Sequence, residues 1–360
     1  MSDEFEVRFT SISHGALPEP DVGGSSFGTR NSPRFRYKTG IAEFNLRIED
    51  SFTNSGKSAI GSPNFDSYPS SSLGHKSTNL LWDHQPTDDK ELPRGYVGIR
   101  QLSLGLKPHP DVQVTLGLNR YEITDAENLC MENVFSTQCK FAFLYAPIGY
   151  GGGEVAYDRV RKDDALKRLK FGAAVMHLGY GGVLMMANGM VSHQLGETQD
   201  SPTLTLHGYV GYFDNPKEDK GKSYLPGITT GEGALSRLDH GIFTGFLLYA
   251  HRNGSNMNEV GFIETGKRDA FSLGLALKPD VFQFYSTVSY LTRSETTTDP
   301  AQAPKDKTEW QTELNAGWRV ANGLVLAVGH RGIFGEKNAH MGFLGIITDL
   351  RHTFPLGTDK

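Results

Sequence analysis

Apolar and polar side chains alternate along most of this chain with a period of two. The stretch "WQTELNAGWRV" puts Trp310, Thr312, Leu314, Ala316, Trp318 and Val320 on one face, and Gln311, Glu313, Asn315, Gly317 and Arg319 on the other. "AEFNLRIED" sets Ala42, Phe44, Leu46 and Ile48 against Glu43, Asn45, Arg47 and Glu49. "FSLGLALK" and "VFQFYSTVSYLTR" repeat the pattern around Leu273 and Phe284. Such segments predict β-strands with one greasy and one wet face. A helical period shows only in "RKDDALKRL", Arg161 to Leu169, the one candidate helix. Counting the alternating segments gives an all-β chain of 14–18 antiparallel strands, with 16 the preferred number because single-chain bacterial barrels have even counts.

The connections choose between a sandwich and a barrel. "KPHPD", "KPD" and "ANG" are tight-turn compositions around residues 107–111, 278–280 and 321–323. Other connections are long and polar, roughly 53–94, 125–138, 214–236 and 294–309. Both architectures alternate apolar and polar residues, but a sandwich has no reason to segregate loop lengths. A transmembrane barrel does, with short turns on one rim and long loops on the other. Trp310 and Trp318 stand eight residues apart, as do Phe282 and Tyr290. That spacing covers ~26 Å of strand, or ~20 Å of height at a tilt of ~40°. It is comparable with the ~25 Å apolar band between aromatic girdles, so these four residues are expected at the two membrane interfaces.

Composition sharpens this picture. No window approaches the ~18 apolar residues of a transmembrane helix, which excludes a helical membrane protein and leaves a strand-built one open. The start, "MSDEFEVRF", carries no apolar signal segment, which fits either a chain that never had one or a mature chain. One domain is expected over 1–360, with 53–94 a long loop that either folds into the lumen or stays outside it, and 355–360 a tail. Cys130 and Cys139, in "CMENVFSTQC", are expected to form a disulfide closing a short loop, with two free thiols the alternative. Two thiols make no zinc site, the twelve histidines form no ligand cluster, and no metal or cofactor is expected.

Chemistry is sparse. No phosphate loop, H-E-x-x-H or C-x-x-C occurs, and "GYGGGE" lacks the strand-to-helix setting of a nucleotide site. "YAHRNGSN" has Asn253 where a nucleophile paired with His251 would stand, so it is expected to be a turn after a strand. The net charge of -5 and the lack of a basic run argue against nucleic acid. The strand segments nevertheless lean basic, while loops and termini hold the acidic surplus. If the apolar face meets lipid, strand parity makes Arg47, Lys170, Lys278, Arg293, Glu313, Arg319, Arg331, Asp349 and Arg351 candidates for the pore wall. The competing reading has many of these cations at strand ends, snorkelling to headgroups.

The last strand, "FLGIITDLRHTF", alternates through Leu344, Ile346, Thr348, Leu350 and His352 and closes on Phe354. In this, and in its overall pattern, the chain resembles the Gram-negative outer-membrane porin class. The likeness departs from the class at "PLGTDK", which follows the closing aromatic. The resemblance implies a non-enzymatic channel for small hydrophilic solutes in the bacterial outer membrane, in contact with bilayer lipid and lipopolysaccharide, and a homotrimer. A barrel with a rim hydrolase or surface-binding role, a soluble all-β binding protein, and a mitochondrial or plastid outer-membrane barrel are the alternatives.

Overall fold

The computed structural model describes residues 3–18, 26–53, 80–84, 94–119, 150–161, 164–177, 183–198, 200–215, 227–257, 263–295, 305–335 and 338–356. Among them are seventeen strands in one antiparallel sheet. In chain order they are β1 Glu4–Pro18, β2 Ser26–Thr39, β3 Ala42–Thr53, β4 Leu80–His84, β5 Arg94–His109, β6 Val112–Asn119, β7 Tyr150–Val160, β8 Leu166–His177 and β9 Val183–Gln194. They continue as β10 Thr203–Asn215, β11 Gly227–His240, β12 Phe243–Met257, β13 Ile263–Leu277, β14 Phe282–Glu295, β15 Lys305–Ala321, β16 Leu324–Phe334 and β17 Ala339–Pro355. β1 pairs with β17 from Glu4↔Pro355 to Pro18↔Met341, so the sheet closes on itself. β4 is five residues long and pairs beside the end of β5, while β3 pairs with β5 directly. The remaining sixteen strands form the barrel wall.

Closure removes the exposed edges that an open sheet of this size would leave. The hairpins on one rim are tight. Gly323 joins β15 to β16 at φ 75°, and a Cβ there would lie 2.4 Å from the Asp349 carbonyl oxygen. Only glycine fits that turn without moving the neighbouring strand. Gly40 (φ 49°) and Asp280 (φ 47°) turn the chain at β2–β3 and β13–β14 on the same rim.

Three segments depart from the expectations above. The candidate helix around Leu169 is strand: β8 begins at Leu166 and pairs with β7 from Val160↔Arg168 to Gly151↔His177. A register shift at Leu166/Arg168 breaks the period there, which is what made the sequence look irregular. "HRNGSN" continues β12 to Met257 instead of turning. The loop expected over 214–236 contains the first ten of the fourteen residues of β11, which starts at Gly227.

The two faces of the wall differ in the sense a membrane demands. On β13, Leu273 is 57% exposed and Ser272 is 1% exposed. Phe271, Leu275 and Leu277 share the exposed side, and Ala270, Gly274 and Ala276 the buried one. A water-soluble barrel shows the opposite order. A mostly apolar exterior of this extent marks a membrane surface.

Candidate functional site: the inner wall

Because the apolar residues point outward, the side chains that alternate with them, many of them charged, face the enclosed space. Alternation on β1 sends Phe5, Val7 and Phe9 out and Glu6, Arg8 and Thr10 in; β2 and β3 do the same with Phe35/Arg34 and Leu46/Arg47. Cross-strand partners on an antiparallel sheet share a face. Arg351 pairs with Arg8, Arg8 with Arg34, and Arg34 with Arg47. Four consecutive strands, β17–β1–β2–β3, thus carry one row of arginines on the inner wall. At ~4.8 Å per strand the row is about 14 Å long.

Like charges placed directly opposite repel, so the neighbouring rows must compensate. Arg8 donates from Nε and Nη2 to the two carboxylate oxygens of Asp349 at 2.8 and 2.7 Å. Arg351 donates to Glu6 at 2.5 Å. Arg36 lies 3.3 Å from Glu43 and 3.7 Å from Glu6. Arg47 donates from Nε to the Ser32 hydroxyl at 2.6 Å, and Arg34 to the Asn45 carbonyl at 3.4 Å. Arg8, Arg36 and Arg351 thus meet the carboxylates Glu6, Glu43 and Asp349, while Arg34 and Arg47 reach the side chains of Asn45 and Ser32.

Elsewhere the inner wall is mixed. Arg168 grips Asp158 through both carboxylate oxygens at 2.8 and 2.7 Å, beside buried Lys170. Arg237 meets Asp239 at 2.6 Å. Glu313 is 2% exposed on the inner face, at the register position opposite Arg331. Lys278 sits over the Tyr285 ring at 6.0 Å. By contrast β11–β13 present Leu235, Leu248, Ala250 and Ala270 inward, with Phe246 packed against them. Towards the long-loop rim, register aligns Arg252, Arg268, Arg293 and Lys307 across β12–β15. This is a second basic row, on strand positions of inward parity.

The structure therefore gathers Arg47, Asp349 and Arg351 into one network and distributes Lys170, Lys278, Glu313 and Arg319 over other strands of the inner wall. Arg293 and Arg331 hold inward strand positions, but their side chains fall outside the described set. So do Cys130 and Cys139 altogether. Trp310 and Trp318 are 51% and 50% exposed on the outer face. Tyr290 lies 4.9 Å from Trp310 between ring centroids, and Phe282 pairs in register with Trp318. Sequence reasoning missed Arg8, Arg34 and Arg36. The signal was present in "FEVRF" and "RFRYK", where an arginine falls between aromatic or aliphatic residues at every second place. Among the described residues no three His, Cys, Asp or Glu side chains are grouped to hold a metal. His251 contacts Asp269 at 2.7 Å on the outer face.

No family model matches the sequence, and no curated protein does. Solved structures do match. Salmonella typhi OmpF in complex with daunomycin aligns with a TM-score of 0.63 at 11% identity, covering 96% of this chain and 97% of that one. The high-pH structure of Pseudomonas putida OprB gives 0.59 at 13%, over 97% and 94%. OmpTdeltaL8, a loop L8 deletion mutant of the Vibrio cholerae outer membrane protein OmpT, gives 0.57 at 11%, over 98% and 100%. What is shared at such identity is the fold: a sixteen-strand antiparallel barrel of the kind found in Gram-negative outer-membrane porins.

Proposed function

We propose that the protein is a passive channel of the bacterial outer membrane, carrying small hydrophilic solutes with a mild preference for anions. The observation that supports it most is the row Arg351–Arg8–Arg34–Arg47, which sets four arginines side by side in register on the inner wall. Rings of Arg and Lys raise the local concentration of anions in a pore. The second basic row, Arg252, Arg268, Arg293 and Lys307, stands towards the opposite rim, where an anion entering from the long-loop side would meet it first. Arg47, Lys170, Lys278, Arg293, Glu313, Arg319, Arg331, Asp349 and Arg351 line the pathway in this reading. No chemistry on the solute is required. The fold, the apolar exterior and the paired aromatic positions support the membrane setting.

The same reading includes a homotrimer. It draws support from a polar ladder on the outer face of β1–β3. The Ser11 hydroxyl donates to Asn31 at 2.6 Å, and the Asn31 amide to Asp50 at 2.8 Å. Asp50 is two residues along β3 from outward-facing Ile48 and shares its strand parity. A carboxylate inside the apolar band is costly against lipid, and contact with a neighbouring subunit removes that cost.

Planar-bilayer recording across a potassium chloride gradient tests the channel. Discrete conductance steps with a reversal potential on the chloride side are expected; a cation-selective reversal overturns the anion preference. Absence of conductance from heat-modifiable, folded protein overturns the channel itself.

A further inference from the structure

The inner-wall row that holds the arginines continues past Arg47. The register partner of Arg47 on β5 is Gln101, so β2, β3 and β5 present Arg34, Arg47 and Gln101 side by side, all partly exposed. Neighbours in such a row stand ~4.8 Å apart. Each is held from beneath by a buried neutral side chain. Arg47 donates from Nε to the Ser32 hydroxyl at 2.6 Å, and Arg34 donates to the Asn45 side-chain oxygen at 3.4 Å. Gln101 donates one amide N–H to the Ser103 hydroxyl at 3.2 Å.

The rest of the network differs. Arg8 grips both oxygens of Asp349, Arg351 donates to Glu6, and Arg36 lies 3.3 Å from Glu43. Ser32 and Asn45 orient a guanidinium without cancelling its charge. The next charged inward positions towards the long-loop rim are Glu49 on β3 and Arg30 on β2, one of each sign. A guanidinium is a planar fork that gives two parallel N–H bonds to a carboxylate or phosphate. A halide makes no use of the fork, and one fork fills a single carboxylate. Two forks one strand apart, with an amide beside them, suit an anion with two charges and oxygens enough for both. Like charges directly opposite also cost the sheet stability, and a dianion offsets both of them.

We propose that Arg34, Arg47 and Gln101 form a binding site for a dianionic oxyanion, a phosphate group or a small dicarboxylate, within the pore. The proposal rests on the channel reading and names the solute class that reading leaves open. Both forks donate to the anion's oxygens, and Gln101 adds its second amide N–H. The binding is weak, because a solute in transit must leave again.

Isothermal titration of the folded, full-length protein in detergent, at constant ionic strength, reads this binding without requiring conduction. The titrants are inorganic phosphate, succinate and acetate. Phosphate and succinate are expected to bind at least tenfold more tightly than acetate. Tight binding of one of the two alone assigns the site to that chemistry. Arg34→Lys with Arg47→Lys keeps both charges and removes both forks, and should weaken dianion binding at least tenfold. Gln101→Leu, which leaves every charge in place, should weaken it less. Dianions bound no more tightly than acetate, or bound as tightly by both variants as by the parent, overturn the proposal. A parent that binds phosphate but passes no current in planar bilayers counts against the channel and leaves the site standing. A parent that conducts chloride but binds no dianion does the reverse.

Discussion

Two arcs of the barrel face the same enclosed space with opposite chemistry. Across β17–β1–β2–β3 the inner wall is a lattice of arginines, carboxylates and amides; midway along β11–β13 it is Leu235, Leu248, Ala250 and Ala270, between the Arg237–Asp239 pair and the aligned Arg252 and Arg268 positions. Their outer faces are far more alike, apolar in both apart from the Ser11–Asn31–Asp50 ladder on one and Glu232, His251 and Asp269 on the other. The outside of a membrane barrel answers to one solvent, hydrocarbon, and varies little. The inside answers to local packing and to the solute, and can differ from strand to strand. The difference also governs legibility. Where the inner face is charged, alternation is strong, and β3 is plain in the sequence. Where the inner face is small or apolar, "GFLLYA" in β12 reads as a continuous run and the period is lost.

The strongest way to break this contrast is to place a charge on the apolar arc. Leu248→Arg puts a lone guanidinium at a position only 4% exposed. It should cost on the order of 3 kcal/mol or more, measured by urea unfolding in lipid vesicles. A loss below 1 kcal/mol would mean that the two arcs are equally tolerant of charge. Next comes the outer wall. Leu314→Arg, on the lipid side of β15 between Trp310 and Trp318, should cost about 2–4 kcal/mol in the same measurement. An effect confined to Leu248 would show that the apolar exterior is not facing hydrocarbon.

Smaller effects sharpen the charged arc. Arg34→Gln with Arg47→Gln should shift the reversal potential towards potassium while leaving the heat-modifiable mobility intact. An unchanged reversal potential would place selectivity elsewhere, with the β12–β15 row the next to remove. Asp50→Leu should lower the molar mass of the detergent-solubilised particle, by light scattering, if the outer ladder forms a subunit contact; an unchanged mass argues against the ladder as that contact. The smallest effect belongs to the Arg8–Asp349 pair, whose side chains are 38% and 43% exposed. A double-mutant cycle there should return a coupling of about 0.2–1 kcal/mol. A larger value would mark the pair as part of a tighter network than its exposure suggests.

Much of the barrel was legible in the sequence because its cause is local. A strand between lipid and water must alternate with period two, and a two-residue turn must use Gly, Asn or Asp, so "WQTELNAGWRV" and "ANG" announce themselves. Individual inward residues followed from the same parity, which is how Arg47, Glu313 and Arg351 could be nominated. Other features depend on which strands lie side by side. Arg351 and Arg8 are neighbours only because the last strand closes on the first. Gly189, Gly208 and Ala234, far apart in the chain, share one outer row only through register. The sequence by itself determined the strand class, the tight turns and which face of each clear strand meets lipid, since these follow from the solvent on each side. Only the tertiary structure decided strand order, closure, register and the rows they create, because those depend on pairing between residues far apart in the chain.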